Sequence, residues 1–397
     1  MAHKSAARRR PAGNAVPRSG NIQTNREART SGGFAALVEK ATQEVLAVTY
    51  WFDQAPPPES YPITVKFTGR RADVKGRLQA ADRFVHEETI KEVIPGSGPI
   101  SLTARVRGIN AGEWAVTAQV QGARASVRRP SEQENGASVA ASSGPVARLW
   151  RRWVPSVGTT EPLRTCLPPL VRVPGILPGI WAAMVTLGMI VALALQALVI
   201  SHDHLALGSW WTITLVAIAV GIVGAKVWYM VLHRREHLVD GWCIQGFIAS
   251  APVAAVILLV ALHVPIGVFL DATAPGLLIA MAVGRVGCFF AGCCGGPPTA
   301  SRFGVWSSDQ RLGARRIPTQ LLELMLAGTL GLGVLVAVLA YGSKDGVFFA
   351  AGLATYTLVR QGILRLRAEP RKTKLGGPVT AALAALVLIA AIVLLVR

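Results

Sequence analysis

The sequence predicts an all-α polytopic membrane protein of about seven transmembrane helices, preceded by an N-terminal small β-rich, sandwich-like soluble domain. Three observations predict it. The chain is 51% hydrophobic and only 16% charged, with a mean hydropathy of +0.42. From Ile176 onward, apolar segments of about 20 residues, the length that crosses hydrocarbon, follow one another with short breaks. Ahead of them, from Tyr61 to Gln121, apolar and polar residues alternate instead.

The elements follow in order. Residues 1–32 read as a disordered basic arm: Met1 to Arg29 is rich in Arg, Ala, Pro and Gly and lacks the apolar core of a secretory signal, so no cleavable signal peptide is expected. Residues 33–122 are the soluble β-rich domain. At its start, Phe34, Leu37, Val38, Ala41, Val45 and Val48 keep helical spacing, which predicts an amphipathic helix over Phe34 to Phe52. Strands follow at Ile63-x-Val65-x-Phe67, at Leu102-x-Ala104-x-Val106 and at Trp114-x-Val116-x-Ala118-x-Val120. Turn signals at Pro95-Gly96-Ser97-Gly98 and Asn110-Ala111-Gly112 separate them, a pattern loosely like an immunoglobulin sandwich. Residues 123–175 are a linker and juxtamembrane segment, Ser/Ala/Gly-rich to Gly144. Residues 176–397 are a seven-span membrane domain, with spans near Ile176–Ile200, Ser209–Leu232, Cys243–Leu262, Ile266–Phe290, Thr319–Tyr341, Val347–Leu364 and Pro378–Val396.

Charge narrows the partners. Net charge is +19, from 41 Lys+Arg against 22 Asp+Glu. No basic helix or aromatic-basic platform accompanies it, which argues against nucleic acid. Juxtamembrane cations facing anionic headgroups, worth about 1 kcal/mol each, account for it better. Sixteen Lys/Arg flank the spans on the N-terminal side against Lys344 and Arg397 on the other, a bias that places the N-terminus inside and the C-terminus outside. Of the five cysteines, none precedes Cys166, so no disulfide scaffold supports the soluble part. No inverted repeat of the transporter kind is visible.

The chemistry concentrates at span ends. Gly284-Arg285-Val286-Gly287-Cys288-Phe289 closes span four with an arginine at membrane depth, where a charge is costly unless it serves a ligand or a partner. Gly284 and Gly287 remove bulk beside it, so that a headgroup or backbone can approach. Lys226 stands late in span two, with His233 beyond it. Asp240-Gly241-Trp242-Cys243-Ile244-Gln245 opens span three, and Pro318-Thr319-Gln320-Leu321-Leu322-Glu323 opens span five. Tyr356 and Arg360, four apart, share a helix face in span six. Together these place Lys226, Arg285, Glu323, Tyr356 and Arg360 toward one pocket.

Plainer readings stand beside these. Arg285 could pair structurally with Glu323 or Asp271. Lys226 could snorkel from a span end. His233 and His263 suit the interface. The run from Arg365 to Lys374 reads as a solvated, lipid-facing loop. Cys288, Cys293 and Cys294 lack the spacing of a zinc site and read first as packing residues; no metal or cofactor is implied.

These fragments, in this order from about Gly179 to Arg367, resemble the prolipoprotein diacylglyceryl transferase family. The family's Gly-Arg-x-Gly-Asn-Phe run is similar to Gly284–Phe289, its Pro-x-Gln-Leu-x-Glu run to Pro318–Glu323, and its Tyr-x-x-x-Arg pair to Tyr356 and Arg360. Its Gly-Gly-Arg-x-Gly-Tyr run is echoed by Gly224–Tyr229, with Lys226 in the arginine's place. The resemblance implies transfer of a diacylglyceryl group from phosphatidylglycerol, or another anionic phospholipid, to the lipobox cysteine of a prolipoprotein acceptor at the plasma membrane. It implies a headgroup clamp of Arg285 and Arg360, with Tyr356 bonding the lipid or ordering Arg360. Lys226, Gln245, Gly284, Gly287, Cys288, Gln320 and Glu323 would line the substrate site. It also implies an extracytoplasmic site, opposite to the side the charge bias gives.

Besides Lys226, this chain departs from the family at four positions. Gln245 stands where the family has histidine, Cys288 for asparagine, Cys293 for glutamate and Leu364 for a carboxylate. Cys293, near Arg285, is therefore expected to have a lowered pKa and to take part in proton transfer. The alternative is a non-catalytic lipid-binding or assembly protein on a decayed transferase scaffold; a transporter or thiol-redox protein is a further class, supported only by the cysteines. Nothing indicates the partner of the β-rich domain.

Overall fold

The structure, a computed structural model, describes residues 43–52, 60–121, 145–158, 161–205, 207–232, 243–369 and 375–396. The basic arm, His233 and Asp240-Gly241-Trp242 lie outside them.

Strands β1 (Val45–Phe52), β2 (Tyr61–Arg71), β3 (Arg83–Val93), β4 (Ile100–Arg107) and β5 (Glu113–Gln121) come first. The helix expected over Phe34 to Phe52 is corrected where the structure describes it, since Val45–Phe52 is a strand. The reason is local and tertiary at once. Val-Leu-Ala-Val-Thr-Tyr-Trp-Phe is a β-branched and aromatic run, and it pairs antiparallel with β4 from Val45↔Arg107 to Phe52↔Ile100. Helical spacing of six apolar residues cannot outweigh eight paired positions.

After a short helix α1 (Pro145–Trp153) and strand β6 (Leu163–Arg164), seven long apolar helices run from α2 (Ile180–His202) through α3 (Leu207–Leu232), α4 (Ile244–Ala261), α5 (Ile266–Ala291), α6 (Thr319–Tyr341), α7 (Val347–Ile363) to α8 (Gly376–Val396). Each is long and apolar enough to cross a membrane. Between α5 and α6 the chain forms a hairpin, β7 (Val305–Ser308) and β8 (Leu312–Arg316).

That hairpin joins the two halves of the protein. The strands form two antiparallel four-stranded sheets, ordered β1-β4-β8-β7 and β3-β2-β5-β6. Half of the first sheet thus comes from the membrane part: Ser101 pairs with Gly313 and Leu102 with Leu312. Leu312 and Ala314 are buried in the same apolar core as Leu46, Val65, Phe67, Leu102 and Trp114. Trp306 stacks on Trp51 at 5.5 Å between ring centroids and donates Nε1–H to the Pro99 carbonyl at 2.9 Å. Arg311 reaches Thr89 O at 3.1 Å.

In the bundle, α5 is the central helix, packed against α2, α6 and α7. Small residues let α2 and α5 cross closely: a Cβ on Gly276 would meet the Ala192 carbonyl oxygen at 2.5 Å. Buried Gln196 donates to Thr214 and Thr273 hydroxyls, both at 2.9 Å, fastening α2 to α3 and α5. Asp271 of α5 is fully buried and accepts from Ser343 Oγ (3.0 Å) and the amides of Lys344 (2.8 Å), Gly346 (3.0 Å) and Phe349 (2.9 Å). It anchors the N-terminus of α7, at the opposite end of the bundle from the C-terminal turn of α5, and takes no part in pairing Arg285.

Candidate active site

The C-terminal turns of α5 and α7 and the N-terminal turn of α6 meet at one end of the bundle, beneath the β7–β8 hairpin. Glu323 is the centre of the meeting point. Its carboxylate is fully buried and takes Arg285 Nη2 at 2.6 Å and Arg360 Nε at 3.2 Å on Oε2, and Arg367 Nη2 at 2.5 Å on Oε1. The Tyr356 hydroxyl donates to Oε2 at 3.4 Å. Three guanidinium groups therefore surround one carboxylate, an excess of two positive charges within this group of four side chains. Arg367 Nε is buried and has no hydrogen-bond partner among the described residues.

A single Arg–Glu pair would be a structural ion pair, neutral and closed. Three arginines on one glutamate are different, because each keeps N–H donors that the carboxylate cannot satisfy. Arginines fit phosphate oxygens in bidentate fashion, and in a low-dielectric surround such a cluster attracts an anion. The arrangement can hold a phosphate and stabilise charge that gathers on its oxygens.

The expected residues divide into three groups. Of the five residues expected toward one pocket, Arg285, Glu323, Tyr356 and Arg360 lie together, from spans four, five and six. Gln320 and Cys293 come close but act on the backbone: buried Gln320 donates Nε2–H to Cys293 O at 2.8 Å, and Thr319 Oγ1 donates to Cys294 O at 2.8 Å. Together they brace the turn that follows α5. The glycines part company, since a Cβ on Gly284 would meet nothing within 4 Å while one on Gly287 would meet Met184 Cβ at 2.9 Å. Gly284 keeps space open and Gly287 serves packing against α2.

Lys226 and Gln245 lie on the α3–α4 pair. Lys226 Nζ stands over the Tyr229 ring at 5.7 Å, and exposed Gln245 accepts from Cys243 Sγ at 2.6 Å.

Arg367 corrects the reading of the segment after α7 as a wholly solvated loop. Its side chain is only 14% exposed and is bound to Glu323. Helical spacing does not report it: the helix ends at Ile363, a 3₁₀ turn covers Leu364–Leu366, and Arg367 follows in extended backbone (φ −78°, ψ 147°) that turns its side chain back to Glu323.

The three cysteines form one cluster. Arg285 Nη1 lies 4.0 Å from Cys288 Sγ, Cys293 Sγ lies 3.7 Å from Cys288 O, and the three thiols hydrogen-bond to one another. Hydrogen bonding with Cys288 and Cys294, with burial added, pushes the Cys293 thiol up, against the expectation of a lowered pKa there. Cys294 is the acidic member. The thiols of Cys288 and Cys293 donate to its sulfur and Arg367 and Arg285 add positive charge, so its pKa is held well below the usual thiol range. Among the described residues no cluster is arranged to hold a metal ion. Cys293, Cys294 and Gln320 also line a cavity of about 460 Å³, roofed by Ser307 to Arg311 of the hairpin.

Fold and site together define a polytopic membrane protein with three arginines gathered on one buried glutamate where its spans meet. The chain belongs to the prolipoprotein diacylglyceryl transferase family, whose model matches residues 168–397, and is a transferase by that membership. It is 26% identical over 208 residues to the phosphatidylglycerol–prolipoprotein diacylglyceryl transferase of Clostridium tetani, covering 48% of this chain and 81% of that one. A second relative of the same name from Clostridium perfringens is 27% identical over 174 residues, 40% of this chain and 66% of the other. The Frankia alni relative is 26% identical over 232 residues, 54% and 62% of the two chains. No solved structure matches the chain. The family match begins after β6 and leaves β1 to β6 outside it.

Proposed function

We propose that this protein transfers the diacylglyceryl group of phosphatidylglycerol to the lipobox cysteine of a prolipoprotein, in the plasma membrane. The observation that supports this most is the excess of guanidinium around Glu323. In the reaction the acceptor sulfur forms a bond to the terminal glycerol carbon of the diacylglyceryl group. The bond from that carbon to the phosphate oxygen breaks, and glycerol phosphate leaves with the electron pair. The acceptor thiol gives up its proton to solvent. One added negative charge then rests on the leaving phosphate, and Arg285, Arg360 and Arg367 are placed to stabilise it. Tyr356 keeps Glu323, and through it the arginines, in place.

A second reading, a lipid-binding protein without transfer activity, is favoured by Gln245: glutamine cannot serve as a base where the family has histidine, and here it faces outward beside Cys243. Complementation decides between them. The chain is expressed in cells depleted of their own transferase, and a model lipoprotein is followed by intact mass. A diacylglyceryl adduct that disappears in Arg285→Ala and Arg367→Ala supports transfer. A folded protein that binds phosphatidylglycerol vesicles and yields no adduct establishes the second reading.

A further inference from the structure

The thiol cluster at the end of α5 has a geometry that lipid transfer does not use. Helix α5 stops at Gly292 in the left-handed region (φ 70°), and Cys294 holds the same region (φ 60°), unusual for a side chain with a Cβ. These two positions fold the chain back so that the Cys294 sulfur rests against Cys288, on the last full turn of α5, and Cys293. Thr319 holds the Cys294 carbonyl and Gln320 that of Cys293, so the reversed turn is fixed from α6. Cys294 lines the 460 Å³ cavity, whereas Cys288 is buried at 8% exposure behind it. Cys293 and Cys294 both line the cavity, Cys288 lies buried behind them, and two arginines flank the group.

We propose that Cys294 is a redox-active thiol that attacks a small-molecule disulfide entering this cavity and then closes a disulfide with Cys288. In the first step the Cys294 sulfur bonds to one sulfur of the reagent while the reagent's own S–S bond breaks. One thiol departs with that electron pair. The Cys288 sulfur then attacks the Cys294 sulfur, and the second thiol departs carrying the Cys288 proton. Two electrons pass from the two cysteines to the reagent, and atoms balance.

Cys288 is the resolving partner rather than Cys293. Neighbouring Cα atoms across a trans peptide stand about 3.8 Å apart, below the roughly 4.4 Å minimum of an unstrained disulfide. The acidity of Cys294 suits the attacking role, since the thiolate is the nucleophile. Oxidation would also remove a negative charge from beside Arg285 and Arg367, linking the redox state to the anion pocket.

The test uses the full chain in detergent or nanodiscs and reads mass, so it is independent of any transferase assay. Iodoacetamide at pH 6 is expected to modify Cys294 about tenfold or more faster than Cys166, whose burial raises its pKa. Oxidised glutathione is expected to give a Cys288–Cys294 bridge, reversed by dithiothreitol. In Cys288→Ser the reaction should stop at a glutathione adduct on Cys294. Alkylation of Cys294 no faster than that of Cys166, or oxidation that leaves Cys288 and Cys294 unbridged, overturns the proposal.

Discussion

Arg285 Nη2 and Glu323 Oε2 lie 2.6 Å apart, yet this pair is not closed, because the other oxygen of the same carboxylate takes Arg367 at 2.5 Å. Glu323 therefore organises the arginines more than it neutralises them. Arg285→Lys keeps the charge and loses the planar fork that can hold Glu323 and a phosphate oxygen together. We expect a loss of roughly 10²- to 10³-fold in kcat/KM for lipid transfer, the range seen when one preorganised donor is removed. Steady-state transfer to a lipobox peptide from phosphatidylglycerol micelles measures it. A lysine variant within threefold of the native rate would show that only net charge matters.

Arg367 should matter as much as Arg360. Both bind Glu323, but Arg367 is the more buried, at 14% against 32% exposure of the side chain. Arg367→Ala leaves Glu323 Oε1 without its partner in a buried site, so a loss of at least about 10²-fold in kcat/KM is expected. By contrast Arg365→Ala, two residues earlier and exposed in the 3₁₀ turn, should leave the rate within about twofold. Equal, small effects from both would return residues 365–367 to the role of a lipid-facing loop.

Seven spans and the meeting of Arg285, Glu323, Tyr356 and Arg360 were legible because local signals carry them: apolar length, a charge inside it, and a four-residue spacing. What escaped depended on distant pairing. The helical spacing read from Phe34 to Val48 hid a β-branched and aromatic run, which pairing with β4, about fifty residues away, fixes as the strand Val45–Phe52. Likewise the segment 312–316 is too short to announce itself, yet it completes a sheet with β4 across two hundred residues. The acidity of Cys294 rather than Cys293 follows from a reversed backbone at φ 60°, which no spacing rule reports.

The shared sheet makes the β-rich part a support for the roof of the cavity. Leu102 is fully buried, pairs with Leu312, and belongs to the core that also holds Ala314. Leu102→Ala should destabilise this part by about 2–5 kcal/mol, seen as a lower midpoint in urea by tryptophan fluorescence. Because β8 carries the strain into the hairpin over Cys293 and Cys294, transfer activity should fall as well. Unfolding of the strands with undiminished transfer would separate the two halves.

Acid should unfold the β-rich part through Asp82. This carboxylate accepts from Asn110 Nδ2 and the Gln79 amide, both at 2.9 Å, and from Arg71 Nη1 at 3.3 Å. These bonds, Asn110 foremost, hold its pKa below the ordinary 3.8. A depressed pKa stabilises the fold at every pH above the unfolded value, and the contribution is lost as pH falls from about 4 through the folded value. Stability should therefore be flat from pH 8 to 5 and decline below pH 4, with a shallower decline in Asp82→Asn. An unchanged acid slope in that variant would assign the transition to other carboxylates.

The sheet also fixes sidedness. Since β4 pairs with β8, the β-rich part and the arginine pocket must face the same compartment, while the turn at His263 between α4 and α5 faces the other. A cysteine introduced at Lys75, in the turn between β2 and β3, and one at His263 should therefore react oppositely with a membrane-impermeant maleimide in intact cells. Transfer to an exported acceptor requires the Lys75 position to be the one labelled from outside. The charge bias of sixteen Lys/Arg on that same face argues the reverse, but long soluble segments cross a membrane largely regardless of charge. Labelling of His263→Cys alone would put the pocket inside, and the acceptor would then have to be a thiol on the cytoplasmic side.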